Sequence, residues 1–223
     1  MTKLTTVETY EAPGRGPAGL AWDGKLLWNA DYKEGKIFGL DPADLLVRRQ
    51  LLCHGNLSGL TWDGSALWQS LYDEAMLRRL NPLTNDFDQH IILTEYGWLS
   101  GLTWDGQYLW VTAQQKGHLL VLDKENGSVV RSIDIPIACG DIDYKDGALW
   151  LSIAAPMVFD KAMDRFEWLG PKPSYAIVQI DPADGREIAR YEADRFYTGL
   201  TWMGDNLLLA HSGERRLYRC RLA

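Results

Sequence analysis

The chain has 223 residues, 46% of them hydrophobic, with 23 Lys and Arg against 30 Asp and Glu. A chain of this length and composition can bury a large core. The net charge of −7 excludes a nucleic-acid partner from our expectations, because a phosphate backbone requires clustered Lys and Arg.

The N-terminal residues MTKLTTVETYEAP lack the apolar centre of a signal peptide. No apolar run approaches the roughly 18 residues of a membrane span, so we expect no membrane partner. The three cysteines, Cys53, Cys139 and Cys220, are odd in number and form no CxxC pair. Reduced thiols in a cytoplasmic protein are therefore expected.

A ten-residue motif recurs about every forty residues, which indicates a repeat architecture. Its copies are GLAWDGKLLW from Gly19, GLTWDGSALW from Gly59, GLTWDGQYLW from Gly101, DIDYKDGALW from Asp141 and GLTWMGDNLL from Gly199. Five copies predict five repeat units.

Each unit predicts four short strands. The motif supplies two strands joined by an Asp-Gly turn, since Gly accepts a positive φ. A third strand such as MLRRL (76–80), a turn such as Asn81-Pro82 and a fourth strand such as FDQHIIL (87–93) complete the unit. Four antiparallel strands per repeat predict an all-β, five-bladed propeller forming a single domain over residues 1–223.

The last copy has room for only three strands before residue 223. The segment TTVETYEAP precedes the first copy and belongs to no unit. We predict that it is the fourth strand of the last blade and closes the ring.

Two tryptophans recur in the motif, and we interpret both as core between blades. One set contains Trp22, Trp62, Trp104 and Trp202, and the other contains Trp28, Trp68, Trp110 and Trp150.

The pattern G-L-T-W-D-G-x-x-L-W, followed by a turn resembling D-P-x-x-G, resembles the five-bladed propellers of the plant and bacterial glutaminyl cyclotransferase type. It is similar, more loosely, to streptogramin-lyase-like propellers and to the six-bladed lactonases of the regucalcin type. Cyclotransferase-like members tend to carry an acid before the Gly-Leu pair. The residues at that place here are Ala18, Ser58, Ser100, Gly140 and Thr198. The resemblance therefore implies the fold more strongly than the activity.

Two sets of loops meet around the axis on one face of a propeller, and function on such scaffolds usually lies there. Their aromatic and polar residues predict a pocket for a small molecule or a peptide. The predicted ligand-binding residues are Arg15, Asp31, Asn56, Tyr72, Trp98, Gln114, Cys139, Phe196, Tyr197 and His211.

Asp141 replaces the glycine of the other copies, on a strand that borders the axis. Three roles stay open for it: an acid–base group, a metal ligand, or an ion pair with Arg15 or Arg195. With His54 it is the candidate catalytic pair of an enzyme, whether hydrolase, lyase or cyclotransferase. A divalent cation on the axis is a further alternative, although no HxH or HExxH spacing supports it. Cys139 and His54 are a further candidate pair of nucleophile and base. Simple packing of a buried Cys is the favoured interpretation of Cys139.

One insertion, about residues 155–174, interrupts the fourth unit. Its apolar residues recur at helical spacing, but an extended hairpin turning near residues 161–164 fits almost as well. It is a candidate lid over the axis, and equally a surface for self-association or for another protein. Binding of a ligand is the preferred function, and an enzyme or an interaction scaffold are the alternatives.

Overall fold

The computed structural model describes residues 2–135, 138–155, 157–160, 162, 163, 165–170 and 172–222. Its regular elements there are strands, apart from a single turn of 3-10 helix at Thr94–Tyr96. Within these ranges, no helix has the length and apolar character that crossing a bilayer requires.

One strand, Thr2–Glu11, comes first, and three blades of four strands follow it. The strands are β1 (Thr2–Glu11), β2 (Pro17–Trp22), β3 (Leu27–Asp31), β4 (Lys36–Leu40), β5 (Val47–Leu52), β6 (Leu57–Trp62), β7 (Leu67–Leu71), β8 (Met76–Leu80), β9 (Phe87–Ile92), β10 (Leu99–Trp104), β11 (Leu109–Ala113), β12 (His118–Leu122) and β13 (Val129–Asp134).

The remaining strands build the last two blades and the insertion. They are β14 (Ala138–Lys145), β15 (Ala148–Ala155), β16 (Met157–Asp160), β17 (Arg165–Trp168), β18 (Ser174–Ile180), β19 (Glu187–Ala193), β20 (Gly199–Met203), β21 (Asn206–His211) and β22 (Arg216–Leu222).

Five antiparallel blades confirm the predicted propeller. Blades 1 to 3 run β2–β5, β6–β9 and β10–β13 in chain order, and blade 4 has the order β14-β15-β18-β19. Blade 5 consists of β20, β21 and β22 with β1 as its outer strand, so the predicted closure by the N-terminal segment is confirmed. Hydrophobic clusters between neighbouring blades form the core.

The Asp of the WDG triplet explains why the motif recurs. In blade 2, Asp63 Oδ1 accepts hydrogen bonds from the turn amides of Ser65 and Ala66, while Oδ2 accepts one from Trp68 Nε1 at 3.0 Å. Blades 1 and 3 repeat the indole bond, from Trp28 and Trp110. One carboxylate thus fixes both the hairpin turn and the buried tryptophan. It supplies the hydrogen-bond acceptor that a buried indole N–H requires.

The two tryptophan sets differ in burial, which partly corrects the sequence interpretation. Trp28, Trp68, Trp110 and Trp150 are buried, as predicted. The other set is only half-buried and lies at the mouth of the axis opposite the loop face.

The insertion is a β-hairpin, because β16 pairs antiparallel with β17. The helical interpretation is therefore wrong and the hairpin alternative is confirmed. Residues 161 and 164 of its predicted turn lie outside the described residues. Strand β16 lies beside the innermost strand β14, and Met163 and Leu169 are exposed. A lid and self-association through this hairpin stay predictions.

Strand β1 joins two blades. It pairs antiparallel with β22 from Leu4 to Glu11, and its first residues pair parallel with β19, Thr2 opposite Tyr191. Blades 4 and 5 consequently share one eight-stranded sheet.

Removing residues 1–10 should cost most of the stability, because it takes Leu4 and Tyr10 from two core clusters and exposes the edge of β22. We expect thermal unfolding followed by circular dichroism to lose its cooperative transition, or to shift down by more than about 10 °C. Removing only Thr2 and Lys3 is the control and should shift the transition by less than about 3 °C. A full truncation that melts like the intact chain would contradict the closure.

Candidate functional site

A cavity of about 370 Å³ opens on the axis at the loop face. Two rings of repeat-equivalent residues supply most of its lining. The inner-strand ring precedes the first residue of each motif copy and contains Ala18, Ser58, Ser100, Gly140 and Thr198. The turn ring follows the second strand of a blade and contains Tyr32, Tyr72, Gln114 and Ser212.

Blade 4 contributes no residue to the turn ring. Its second strand, β15, continues past the point where the others turn, so Ala154 pairs with Tyr175 of β18 instead. Four more residues complete the lining: the loop residues Asn56 and Phe196, and the first residues of β6 and β14, Leu57 and Ala138. The ring of Phe196 lies against Tyr175, 6.3 Å between centroids.

Four predicted ligand-binding residues line this cavity, namely Asn56, Tyr72, Gln114 and Phe196. Tyr72 donates to Gln114 Oε1 at 3.3 Å, and Gln114 Nε2 donates to the carbonyl of Cys139. Burial, with the nearby Asp73 carboxylate, raises the pKa of Tyr72 to about 12, so its hydroxyl stays protonated. These contacts hold an aromatic ring and an amide at fixed positions on the wall.

Trp98 supports the wall without lining it. Its indole stacks on the Tyr72 ring with centroids 5.4 Å apart.

Cys139 and Tyr197 are wholly buried, and His211 is half-buried beside Tyr197. Burial raises the pKa of the Cys139 thiol well above its usual range, with Asp141 adding to the rise, and the thiol donates to the Asp141 carbonyl. Burial likewise lowers the pKa of His211, whose Nδ1 accepts the Glu214 amide. These three predicted residues lie outside the lining and pack beneath or beside it.

Asp31 holds two loops together. Its Oδ2 accepts the Gly16 amide at 2.8 Å, and its Oδ1 accepts the amides of Lys33 and Glu34. The exposed Arg15 pairs with Glu34 at 2.7 Å. Asp31 is therefore a positioning residue, and Arg15 lies at the rim, outside the axial lining.

Asp141 is completely buried on the axis below the cavity. From β14 its Oδ2 reaches across to two other blades, accepting the Leu200 amide at 2.9 Å and the Leu20 amide at 3.4 Å. Among the described residues, no donor reaches its Oδ1 with hydrogen-bond geometry. Burial raises its pKa well above the usual range, although these amides oppose the shift. The expected ion pair with Arg15 or Arg195 is wrong, since Arg195 pairs with Asp194 and Glu214.

His54 is exposed and does not line the cavity, whereas Asp141 is buried beneath it. The structure therefore does not bring the candidate catalytic pair together at the cavity. In the described part of the chain, no three His, Cys, Asp or Glu side chains form a group able to hold a metal ion.

Asp143 lies two residues further along β14, towards the opposite mouth. Both of its oxygens are engaged: Oδ1 accepts from Thr103 Oγ1 and the Tyr144 amide, and Oδ2 from Thr201 Oγ1 and the Trp202 amide. A second cavity, of about 270 Å³, opens there, and Asp143 lines it together with the half-buried tryptophans.

The sequence-based site prediction omitted the inner-strand ring, although its members share one place in the repeat. Four copies carry Gly next to that place because innermost strands approach closely there: a Cβ at Gly19 would lie 2.3 Å from the Ser58 carbonyl oxygen. The residue preceding such a glycine necessarily borders the axis, and the repeat register alone could have identified it.

Asp141→Asn should not destabilise the protein, and its effect should depend on pH. Because folding raises this pKa, the folded state binds the proton more tightly, and wild-type stability falls as pH rises above the unfolded value of about 3.9. Near pH 4 the variant should match wild type. Near pH 8 its melting temperature should be higher by about 2–4 °C.

Asp143→Asn is the matched comparison. An amide offers one acceptor oxygen where four donors converge, so this variant should lose about 1.5–3 kcal/mol. Thermal and urea unfolding between these pH values measure both variants. If Asp141→Asn destabilised the protein more than Asp143→Asn at pH 8, the expectation that the ionised Asp141 carboxylate lowers stability would be contradicted.

Searches with the sequence found no matching family model and no significantly matching curated protein. Solved structures do share the fold. A glutaminyl cyclase from Myxococcus xanthus superposes with a TM-score of 0.76 at 14% identity, covering 99% of this chain and 97% of that one.

A Kuenenia stuttgartiensis hydrazine synthase chain superposes with a TM-score of 0.54 at 16% identity, over 90% of this chain and 56% of that chain. Identities this low carry information about architecture only. The chain is thus a five-bladed β-propeller with the fold of the Myxococcus glutaminyl cyclase, as the repeated motif predicted.

Proposed function

We propose that the chain binds a small molecule, or the end of a peptide, in the axial cavity of the loop face. The observation that carries this proposal is the unlike composition of the two rings. Within each ring the positions are equivalent in the repeat, yet the residues differ from blade to blade. The inner-strand ring holds Ala, Ser, Gly and Thr, and the turn ring holds Tyr, Gln and Ser. Scaffold positions of the same repeat hold nearly constant residues.

The chemistry of the described lining indicates a neutral ligand group. Aromatic walls come from Tyr32, Tyr72 and Phe196, and amides come from Asn56 and Gln114, whereas no charged side chain lines this cavity. A volume of about 370 Å³ lies in the range of small-ligand sites. An aromatic or aliphatic group bearing an amide or hydroxyl matches these walls.

Several polar groups are available to such a ligand. The side chains of Asn56, Ser58 and Ser212 line the cavity and make no hydrogen bond to another described residue. By contrast, Thr198 Oγ1 and Ser100 Oγ donate to backbone carbonyls of neighbouring loops and strands. The free groups lie in blades 2 and 5, which gives the ligand a preferred orientation.

An enzyme acting at the same cavity is the second candidate, and the unpartnered Oδ1 of Asp141 favours it. A carboxyl whose pKa is raised by burial resembles the general acids of other active sites. We place it second because Asp141 is wholly buried, while a general acid or base must reach the reacting atoms.

Ser58→Tyr should close the axial cavity, since Ser58 is half-buried on its wall. Saturation-transfer NMR with two neutral aromatic amides, benzamide and N-acetylphenylalaninamide, measures the effect. Wild type should bind at least one of them saturably, and Ser58→Tyr should weaken that binding at least about tenfold, as steric exclusion from a pocket does.

Ser132→Tyr is the matched control, because Ser132 is exposed on the outer strand β13. It should leave binding unchanged, and both variants should melt within a few degrees of wild type. Wild type that binds neither amide, or equal binding by Ser58→Tyr, would contradict the proposed site.

A cyclisation assay separates the two candidates. Ring closure of the peptide glutaminyl-glycinamide would release ammonia and leave a pyroglutamyl peptide, and a coupled ammonia assay detects it. We expect no release above the buffer rate, because no carboxylate lines the described cavity wall. Release by wild type that Asp141→Asn abolishes, with Ser132→Tyr still active, would favour the enzyme.

A further inference from the structure

Another cavity adjoins the axial one at the rim between blades 5 and 1. It has a volume of about 340 Å³ and is lined by Arg15, Tyr32, Lys33, Ser212, Gly213 and Arg215. Tyr32 and Ser212 line both cavities, so the two lie side by side and share a wall. We call the one at the rim the cationic annex, because three of its six lining residues are basic and none is acidic.

We propose that the cationic annex binds a carboxylate or phosphate group of the same ligand whose neutral part occupies the axial cavity. This inference rests on the proposed function and adds the ligand's class: a compact molecule with an aromatic or amide portion and one oxyanion.

The charges around the annex are incompletely compensated. Arg15 pairs with Glu34 at 2.7 Å, but Lys33 and Arg215 make no ion pair with any described residue. The nearby Glu214 is engaged by Arg195 and by the Tyr218 hydroxyl. In a protein with a net charge of −7, these two cations have no acidic partner among the described residues, and beside a partly paired arginine they attract an anion.

One of these cations, Arg215, lies at a strained backbone position. Arg215 is the fourth residue of the turn between β21 and β22 and has a φ of 55°. The equivalent turn positions hold Gly35, Ala75 and Gly117, with φ values of 61°, 48° and 67°. A long side chain is disfavoured in this conformation. Strain of this kind is often retained where it positions a functional group.

The other two cations lie on loops that one buried carboxylate holds together. Asp31 accepts hydrogen bonds from the backbone amides of Gly16, which follows Arg15, and of Lys33 itself. Gly14 allows this approach, because a Cβ there would lie 2.0 Å from Asp31 Oδ2. The backbones of Arg15 and Lys33 are thus fixed before a ligand arrives, which lowers the entropic cost of binding.

A matched pair of probes tests the annex. N-acetylphenylalanine carries a carboxylate where N-acetylphenylalaninamide is neutral, and phenyl phosphate supplies the alternative oxyanion. Calorimetry or NMR titration of wild type should show at least about tenfold tighter binding of one oxyanion probe than of the neutral amide. Raising the ionic strength from about 0.05 M to about 0.5 M should weaken the oxyanion alone.

Arg215→Gly should remove most of the gain for the oxyanion and leave the neutral amide unaffected. It should also raise the melting temperature, since glycine accepts the positive φ. Ala75→Gly relieves the same turn position in blade 2 without removing a charge. Its oxyanion binding should equal that of wild type, because it leaves every charge of the annex in place.

The outcomes separate this inference from the proposed function. Equal affinity for the acid, the phosphate and the amide in wild type would overturn the annex, while the axial cavity would stand. Oxyanion binding that Arg215→Gly leaves intact would also overturn it. Tight binding of an oxyanion with none of the amide, lost in Arg215→Gly, would support the annex and count against the neutral axial site.

Discussion

The five innermost strands converge so closely on the axis that their contact surfaces are backbone. A Cβ at Gly59 would lie 2.5 Å from the Ser100 carbonyl oxygen, and one at Gly199 would lie 2.1 Å from the Ala18 carbonyl oxygen. Distances of this size exclude any side chain. The glycine of the motif therefore sets the diameter of the ring, and the residue preceding it is forced to the wall of the axial cavity.

Blade 4 differs from the other blades at this position, and the difference allows a contact between blades. Asp141 takes the glycine position, while the preceding Gly140 makes the close approach, since a Cβ there would lie 2.2 Å from the Tyr197 carbonyl oxygen. The carboxyl can then reach the amides of Leu20 and Leu200, which belong to innermost strands with no further strand to pair with. One side chain thus satisfies donors from two other blades.

Rigid blades allow the loops to vary. The Asp of the motif joins the hairpin turn to the buried indole in blades 1 to 3. In blade 5, Met203 replaces that Asp, and Leu208 replaces the indole that it would have bonded. In blade 4 the turn is one residue longer, and Trp150 Nε1 makes no hydrogen bond to a described residue. The Asp and the indole that it bonds are present together or absent together, except in blade 4, where the first hairpin turn is longer.

Local patterns predicted the strands well and the site only in part. Strand β8 coincides with the expected 76–80, and the Asp-Pro and Asn-Pro turns form as expected, because alternation and turn chemistry act over a few residues. The partners of Asp141 come from positions 59 and 121 residues away and depend on the curvature of the ring. The helical interpretation of the insertion was wrong because apolar residues of a hairpin can repeat by chance at helical spacing.

The sharing of one sheet by blades 4 and 5 has a consequence for biosynthesis. Strand β1 is the earliest made, yet both strands that it pairs with, β19 and β22, are among the latest. Throughout translation it must stay unpaired, or be shielded, while the four preceding blades take shape beside it. Contacts that span nearly the whole chain are slow to form. The final docking of this strand should then be the step at which nascent molecules are most exposed to wrong pairing with one another.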